Sequence, residues 1–195
     1  MKKLILNMQM SVDGFVGADG DQRWQLWEWG EDNAWDEALK RDFNAVFQSI
    51  DTVLLSRKMA EEGYLSHWGN AAKKYPRDPF YGFAQRIVEA QKVVPSDKLE
   101  TSRWERTRVV GGDLPREVNA LKAGGGGDIA VFGGAGLASA LIAADLVDEF
   151  QLFINPAVLG AGRRIFDQRG FSRLKLIGSK AYASGMVVSR YAQAG

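Results

Sequence analysis

Asp128-Ile129-Ala130-Val131-Phe132-Gly133-Gly134-Ala135-Gly136-Leu137 is the stretch on which the reading of this chain turns. Residues 128–132 form a short apolar run, Gly133 to Gly136 a turn, and Leu137 to Ala144 a segment of small and apolar residues, which predicts strand, turn and helix in succession. Without Cβ atoms in the way, the backbone amides of such a turn can approach a ligand. The start of the helix adds partial positive charge, so the phosphate groups of a cofactor would fit there. The same glycines serve equally well for a tight strand-to-helix turn with no ligand, and spacing alone does not separate the two readings. A Rossmann fingerprint is excluded: the turn follows the fifth strand of the chain, and only about 60 residues remain, too few for two nucleotide-binding halves.

The chain on the N-terminal side repeats the strand-helix alternation. Lys3 to Met10 is mostly apolar and stops at Ser11-Val12-Asp13-Gly14, so it reads as a buried first strand. Residues 17–33 read as a long loop lined with tryptophans, Trp24, Trp27 and Trp29, with Trp35 just beyond. These rings can stack on a planar heterocycle, form a dimer contact or roof the core. Asn33 is available as N-cap for an amphipathic helix carrying Trp35, Leu39, Phe43, Val46 and Phe47 and ending near Ile50. Strands are then expected at 51–56, 92–96 and 108–110, with helices at 57–64, 80–90 and 114–122 and a turn at Gly124 to Gly127. Such alternation implies an α/β domain with a mostly parallel sheet covered on both faces. In the C-terminal third, 149–154, 174–181 and 186–191 read as antiparallel strands completing the sheet.

Composition narrows the chemistry. The chain has 195 residues, enough for one domain and one core, and its 25 basic against 24 acidic side chains give no field to attract nucleic acid. No apolar run reaches the length of a membrane span, and the stretch after Met1-Lys2-Lys3 is broken by Asn7, Gln9 and Asp13, unlike an export signal. A cytoplasmic protein is expected. The lack of cysteine fits a reducing compartment, and a lone histidine, His67, excludes multi-histidine metal sites. His67 reads as a histidine near a helix end. In an open α/β sheet, ligands gather at the carboxyl ends of strands, which nominates Asp13, Ser56-Arg57, Ser96 and Gly133 to Gly136 as neighbours. Asp13-Gly14 taken alone is also an ordinary turn.

Three ordered motifs carry a resemblance that spans nearly the whole chain. They are Ser11-Val12-Asp13-Gly14-Phe15, the 128–137 stretch, and Leu146-Val147-Asp148-Glu149-Phe150 followed by Asn155-Pro156-Ala157-Val158-Leu159-Gly160-Ala161-Gly162. In these the chain resembles the dihydrofolate-reductase-like fold, specifically the reductase domain of riboflavin biosynthesis and its small stand-alone relatives. The resemblance implies a three-layer α/β sandwich and a reductase that takes hydride from NADPH, with NADH as the alternative donor. It implies cofactor contacts from Arg57, Lys58, Ser96, Gly133, Gly134, Ala135, Gly136 and Leu137, and acid-base roles for Asp13 and Glu149. A small planar substrate, pterin- or pyrimidine-like, is expected near Asn7, Met8, Ser11 and Trp27, and a homodimer is expected as in similar small relatives. Two positions depart from the family pattern: Met59 stands where a hydroxyl is usual, and Asp97 where Arg or Thr is common. A non-catalytic nucleotide-binding or dimeric interaction protein on the same fold is the competing reading. No zinc-deaminase motif precedes the reductase-like part.

Overall fold

The computed structural model of the chain describes residues 1–20, 23–26 and 35–194. Its eight strands are β1 (Leu4–Ser11), β2 (Ile50–Leu54), β3 (Gln91–Pro95), β4 (Thr107–Val110), β5 (Asp128–Val131), β6 (Glu149–Asn155), β7 (Leu174–Ala181) and β8 (Val187–Gln193). They form one sheet in the order β4-β3-β2-β5-β1-β6-β8-β7. β1 lies between β5 and β6 and is parallel to both, which explains why all of it except Gln9 is buried. β8 runs antiparallel to β6 and β7. The sequence reading made β6 antiparallel as well. It is parallel to β1, with Ile5 opposite Glu149 and Ser11 opposite Asn155, so the chain reverses direction only after residue 155.

Helices cover both faces. One cluster joins the sheet to α1 (Glu37–Val46), α3 (Tyr64–Lys74) and α4 (Gly82–Glu89) through Leu39, Phe43, Trp68, Phe83 and Ile87. The opposite cluster joins Leu4, Leu6, Met8 and Met10 of β1 to α5 (Leu114–Ala123) and α6 (Ala135–Ala143) through Val118, Ala138, Leu141 and Ile142. Leu4, Leu6, Met8 and Met10 share this face of the sheet, as the two-residue period of a strand requires.

Two helical boundaries differ from the sequence reading. The N-cap of α1 is Asp36, whose Oδ1 accepts the Leu39 N–H at 2.9 Å, and Asn33 lies outside the described residues. The helix expected at 57–64 is two: α2 (Arg57–Glu61) ends at Glu62, Gly63 takes a left-handed conformation with φ 96°, and α3 begins at Tyr64. The signal for α3 was present in Tyr64, Trp68 and Ala72, a buried stripe at four-residue spacing. His67 therefore sits in the first turn of α3, where burial pushes its pKa down and the helix dipole also disfavours a cation. Among the described residues, no helix is long and apolar enough to cross a membrane.

Candidate functional site

The carboxyl ends of the parallel strands open into two cavities that meet at one contact. The first, of about 340 Å³, is lined by Ser56 and Arg57 after β2, Ser96 and Asp97 after β3, Gly111 and Gly112 after β4, and Leu137 of α6. The second, of about 390 Å³, is lined by Asn7 and Met8 of β1, Met59 and Glu62, the rings of Tyr64, Trp68, Phe132 and Phe153, and the Gly133-Gly134-Ala135 turn. Gly134 packs on Ser56, so that a Cβ at position 134 would lie 2.5 Å from Ser56 Oγ and 2.6 Å from its Cβ. Two parallel crossovers thus approach closely because one of them lacks a side chain.

The turn also leaves a helix start open. Gly133 and Gly134 have φ of 130° and 57°, and no side chain caps α6 at Gly134. The first-turn amides of a helix have no intrahelical acceptor, so Ala135, Gly136 and Leu137 present N–H groups to whatever enters. By contrast, α2 is capped by Ser56, whose Oγ accepts the Met59 N–H, and α5 by Asp113. A Cβ on Gly136 would meet nothing within 4 Å. A glycine-lined approach, an uncapped nine-residue helix and flanking cavities on either side fit a phosphate-bearing cofactor. Around the rest of the turn, Gly134 rests on Ser56, and the nearest side-chain atoms to Gly133 are the sulfurs of Met59 and Met8, 3.6 and 3.7 Å from where its Cβ would be, so the open side is that of Gly136.

The other expected site residues divide. Asn7 and Met8 line the second cavity, and Arg57, Ser96 and Leu137 the first. Lys58 is exposed, pairs with Glu62 at 3.5 Å and lines neither cavity. Ser11 is 1% exposed, accepts the Phe15 N–H and donates to Asp13, so it closes a turn and does not face a ligand. Trp27 lies outside the described residues. Trp35 belongs to the core, stacked on Phe153 at 5.9 Å between centroids. Sequence reasoning missed Met59, Glu62, Tyr64, Trp68, Phe132 and Phe153 as cavity walls.

Neither carboxylate expected to do acid-base chemistry occupies the cleft. Glu149 is the first residue of β6 and Asn155 the last, so six residues of strand, roughly 20 Å, separate it from the open end. Its buried Oε1 accepts from Arg190 Nε at 2.9 Å and Nη2 at 2.5 Å, an ion pair that fixes β6 to β8. Asp13 acts as a clamp between the first strand and the 156–162 loop: it accepts from Ser11 Oγ at 2.6 Å, from Leu159 N at 3.1 Å and from Gly160 N at 2.7 Å. The Ser11 hydroxyl, aided by the Gly160 and Leu159 amides, holds its pKa down at about 2, far from that of a proton donor at neutral pH.

That clamp makes a testable contribution to acid stability. Because the folded pKa lies below the ordinary value of 3.8, the stabilisation is complete above pH 4 and is lost as pH falls toward 2. Urea midpoints measured from pH 5 to pH 2.5 are expected to fall more steeply for the native chain than for Asp13→Asn. Parallel slopes would remove Asp13 from this role.

With this geometry in place, comparison with known proteins assigns the family. The RibD C-terminal domain model matches residues 2–188. An uncharacterized Bacillus subtilis protein, YyaP, is 28% identical over 188 residues, which cover 95% of this chain and 92% of the relative. Among solved structures, a protein from Shewanella sp. PV-4 attributed to riboflavin biosynthesis superposes with a TM-score of 0.68 at 16% identity, covering 100% of both chains. A pyrimidine reductase-like protein from Corynebacterium diphtheriae gives 0.59 at 15% identity, covering 100% of this chain and 92% of the other. The sheet order, the glycine turn and these matches agree: the fold is dihydrofolate-reductase-like, and the chain belongs to the RibD C-terminal domain family.

Proposed function

We propose that this chain is an NADPH-dependent reductase of a small planar heterocycle, pterin- or pyrimidine-like, acting in the cytoplasm. The observation that supports this reading best is the uncapped start of α6, opening where two cavities meet at the carboxyl edge of the sheet. The α6 amides and the Gly133-Gly134 backbone would hold the cofactor phosphates, with Arg57, Ser96 and Leu137 along the adenosine side. When bound, the nicotinamide supplies the hydride. The protein contributes position: Asn7, Met8 and the Phe132 and Phe153 rings shape a surface on which a planar substrate is held. Among the described residues lining the second cavity, Glu62 alone is a carboxylic acid, and it is exposed and paired with Lys58. Asp97 and Glu117 lie in the neighbouring cavity, away from the substrate side. The reading therefore takes the substrate proton from solvent.

Trp68 lines the substrate cavity and reports on it. Saturable quenching by NADPH is expected with Kd in the range of about 1–100 μM, by analogy with ordinary substrate affinities. No saturation below about 1 mM would refute the cofactor assignment. Asp97 decides between the nucleotides. Its Oδ1 accepts the Gly112 N–H at 2.7 Å at the edge of the first cavity, where its charge opposes a 2′-phosphate. Asp97→Asn keeps a carbonyl acceptor for Gly112 and removes the charge. NADPH is expected to bind roughly 3- to 10-fold tighter to this variant, with NADH unchanged within about twofold. Equal gains for both nucleotides would move the 2′-phosphate away from Asp97.

A second copy of the chain is the partner we propose. β7 forms one edge of the sheet and exposes Leu176 (55%) and Ile177 (46%), and Phe171 just before it is 92% exposed. An edge of eight residues with exposed apolar side chains invites pairing. Light scattering after size exclusion is expected to show dimers for the native chain and monomers for Leu176→Asp/Ile177→Lys. Monomers in both would end this assignment.

A further inference from the structure

The chemistry of the second cavity also limits what the substrate carries, a step that rests on the reductase reading for its site. Four aromatic rings, Tyr64, Trp68, Phe132 and Phe153, and two thioethers, Met8 and Met59, line it. Such walls favour a flat, polarisable ring system. Asn7 adds a directed polar group. It is 4% exposed, its Nδ2 donates to Ile5 O at 3.2 Å, and its Oδ1 is a buried acceptor with no partner among the described residues. A buried acceptor left unmade is costly, so a ligand N–H placed against it gains more than an ordinary surface hydrogen bond.

The charged side chain in the described lining is Glu62, with Lys58 beside it at 3.5 Å. That lining contains no Lys, Arg or His. Residues 27–34, Trp-Glu-Trp-Gly-Glu-Asp-Asn-Ala, contain three acids and no Lys or Arg, so they bring no cation wherever they lie. Of the basic residues nearest in the chain, Arg23 lies two positions before the lining Gln25 without lining the cavity itself, Arg57 pairs with Glu61 and lines the other cavity, and Lys58 pairs with Glu62. Arg163 lies beside Gly17, and the Arg164 guanidinium stacks over Phe15 at 4.3 Å. Neither arginine lines the cavity.

We infer that the cleft selects an uncharged or cationic planar heterocycle bearing a ring N–H or amino donor, without a phosphate ester. Asn7 accepts from that donor, and Glu62 disfavours anions at the mouth. Both are specificity-determining residues.

Riboflavin and its 5′-phosphate, FMN, differ only in the phosphate and report binding through their own fluorescence. Titrated into the protein with saturating NADP⁺, which keeps the FMN phosphate off the α6 amides, riboflavin is expected to bind at least about tenfold tighter than FMN. Glu62→Gln is expected to bring the two within about threefold, and Asn7→Leu to weaken riboflavin about tenfold with NADP⁺ affinity unchanged. Equal or tighter binding of FMN overturns the inference, as does failure of both flavins to bind below about 1 mM. If an FMN preference disappears in Arg163→Ala/Arg164→Ala, those arginines hold the phosphate and the inference is overturned with its reason known. The flavin ratio is read on the native chain, so a variant that fails to fold does not decide the matter. NADP⁺ binding is followed separately by tryptophan fluorescence. Where it is absent, the reductase reading fails by itself, the α6 amides hold no phosphate, and the flavin ratio measured without nucleotide still decides the inference.

Discussion

Gly134→Val is expected to lower NADPH affinity by at least about 100-fold, close to 3 kcal/mol, while the chain keeps its sheet. Two effects act together. A β-branched residue at φ 57° is strained by roughly 1–3 kcal/mol, and its Cβ would have to displace Ser56, 2.5 Å away. The turn must then move away from α2, which takes the α6 amides out of register with the cavity between them. The loss of binding could in principle come from the displaced loop alone, and a second substitution separates these causes. Ser56→Gly removes both atoms that the new Cβ meets and leaves the new side chain in the phosphate approach. If the approach itself is what matters, Ser56→Gly/Gly134→Val stays weak in an isothermal titration, at least tenfold below Ser56→Gly alone. Recovery of full affinity would assign Gly134 to packing. Binding within about threefold of native in Gly134→Val itself would show that no phosphate rests on this turn.

The parts of this fold that the sequence made legible were those with a local cause. The 128–137 stretch could be read because strand, glycine turn and helix start follow one another within ten residues, and each has its own signature. Arg57, Ser96 and Leu137 could be placed together because the carboxyl ends of parallel strands converge wherever the sheet is open. What stayed hidden depended on pairings distant in sequence. Glu149 lies in a motif adjacent to the strand that leads to the site, yet strand direction puts it at the far end, and direction is set by β1, more than 100 residues earlier. Asp13 could not be recognised as a clamp because its partners, the Leu159 and Gly160 amides, are supplied by a loop 146 and 147 positions away. Trp68 and Phe153 could be read as buried from their spacing, but not as cavity walls, since a wall and a core residue carry the same apolar signature until the space beside them is known.

Phe43→Ala is expected to cost about 3–5 kcal/mol of stability and to lower the melting temperature by roughly 10 °C or more. Phe43 is 1% exposed and lies at the centre of an aromatic cluster. Its ring meets Trp35 at 5.0 Å, Phe47 at 5.2 Å, Phe83 at 5.1 Å, Phe153 at 5.8 Å and Phe132 at 6.3 Å, all at steep angles that suit edge-to-face contact. It thereby ties α1 to α4, to the end of β5 and to β6. Held between Phe153 of β6 and Phe83 of α4, the site closes only in part around an alanine, so a cavity persists and adds to the transfer loss. Two of the neighbours, Phe132 and Phe153, also line the second cavity, and their other faces rest on this cluster. Loosening them should weaken binding of a planar ligand several-fold, while the turn at Gly134, supported by Ser56 and α6 and proposed as the phosphate site, should bind NADPH nearly as before. Differential scanning calorimetry together with separate riboflavin and NADPH titrations checks both halves. A melting temperature lowered by less than about 3 °C would mean that the core closes around the missing ring, and an equal loss of affinity for both ligands would mean that the cluster supports the whole cleft and not one wall of it.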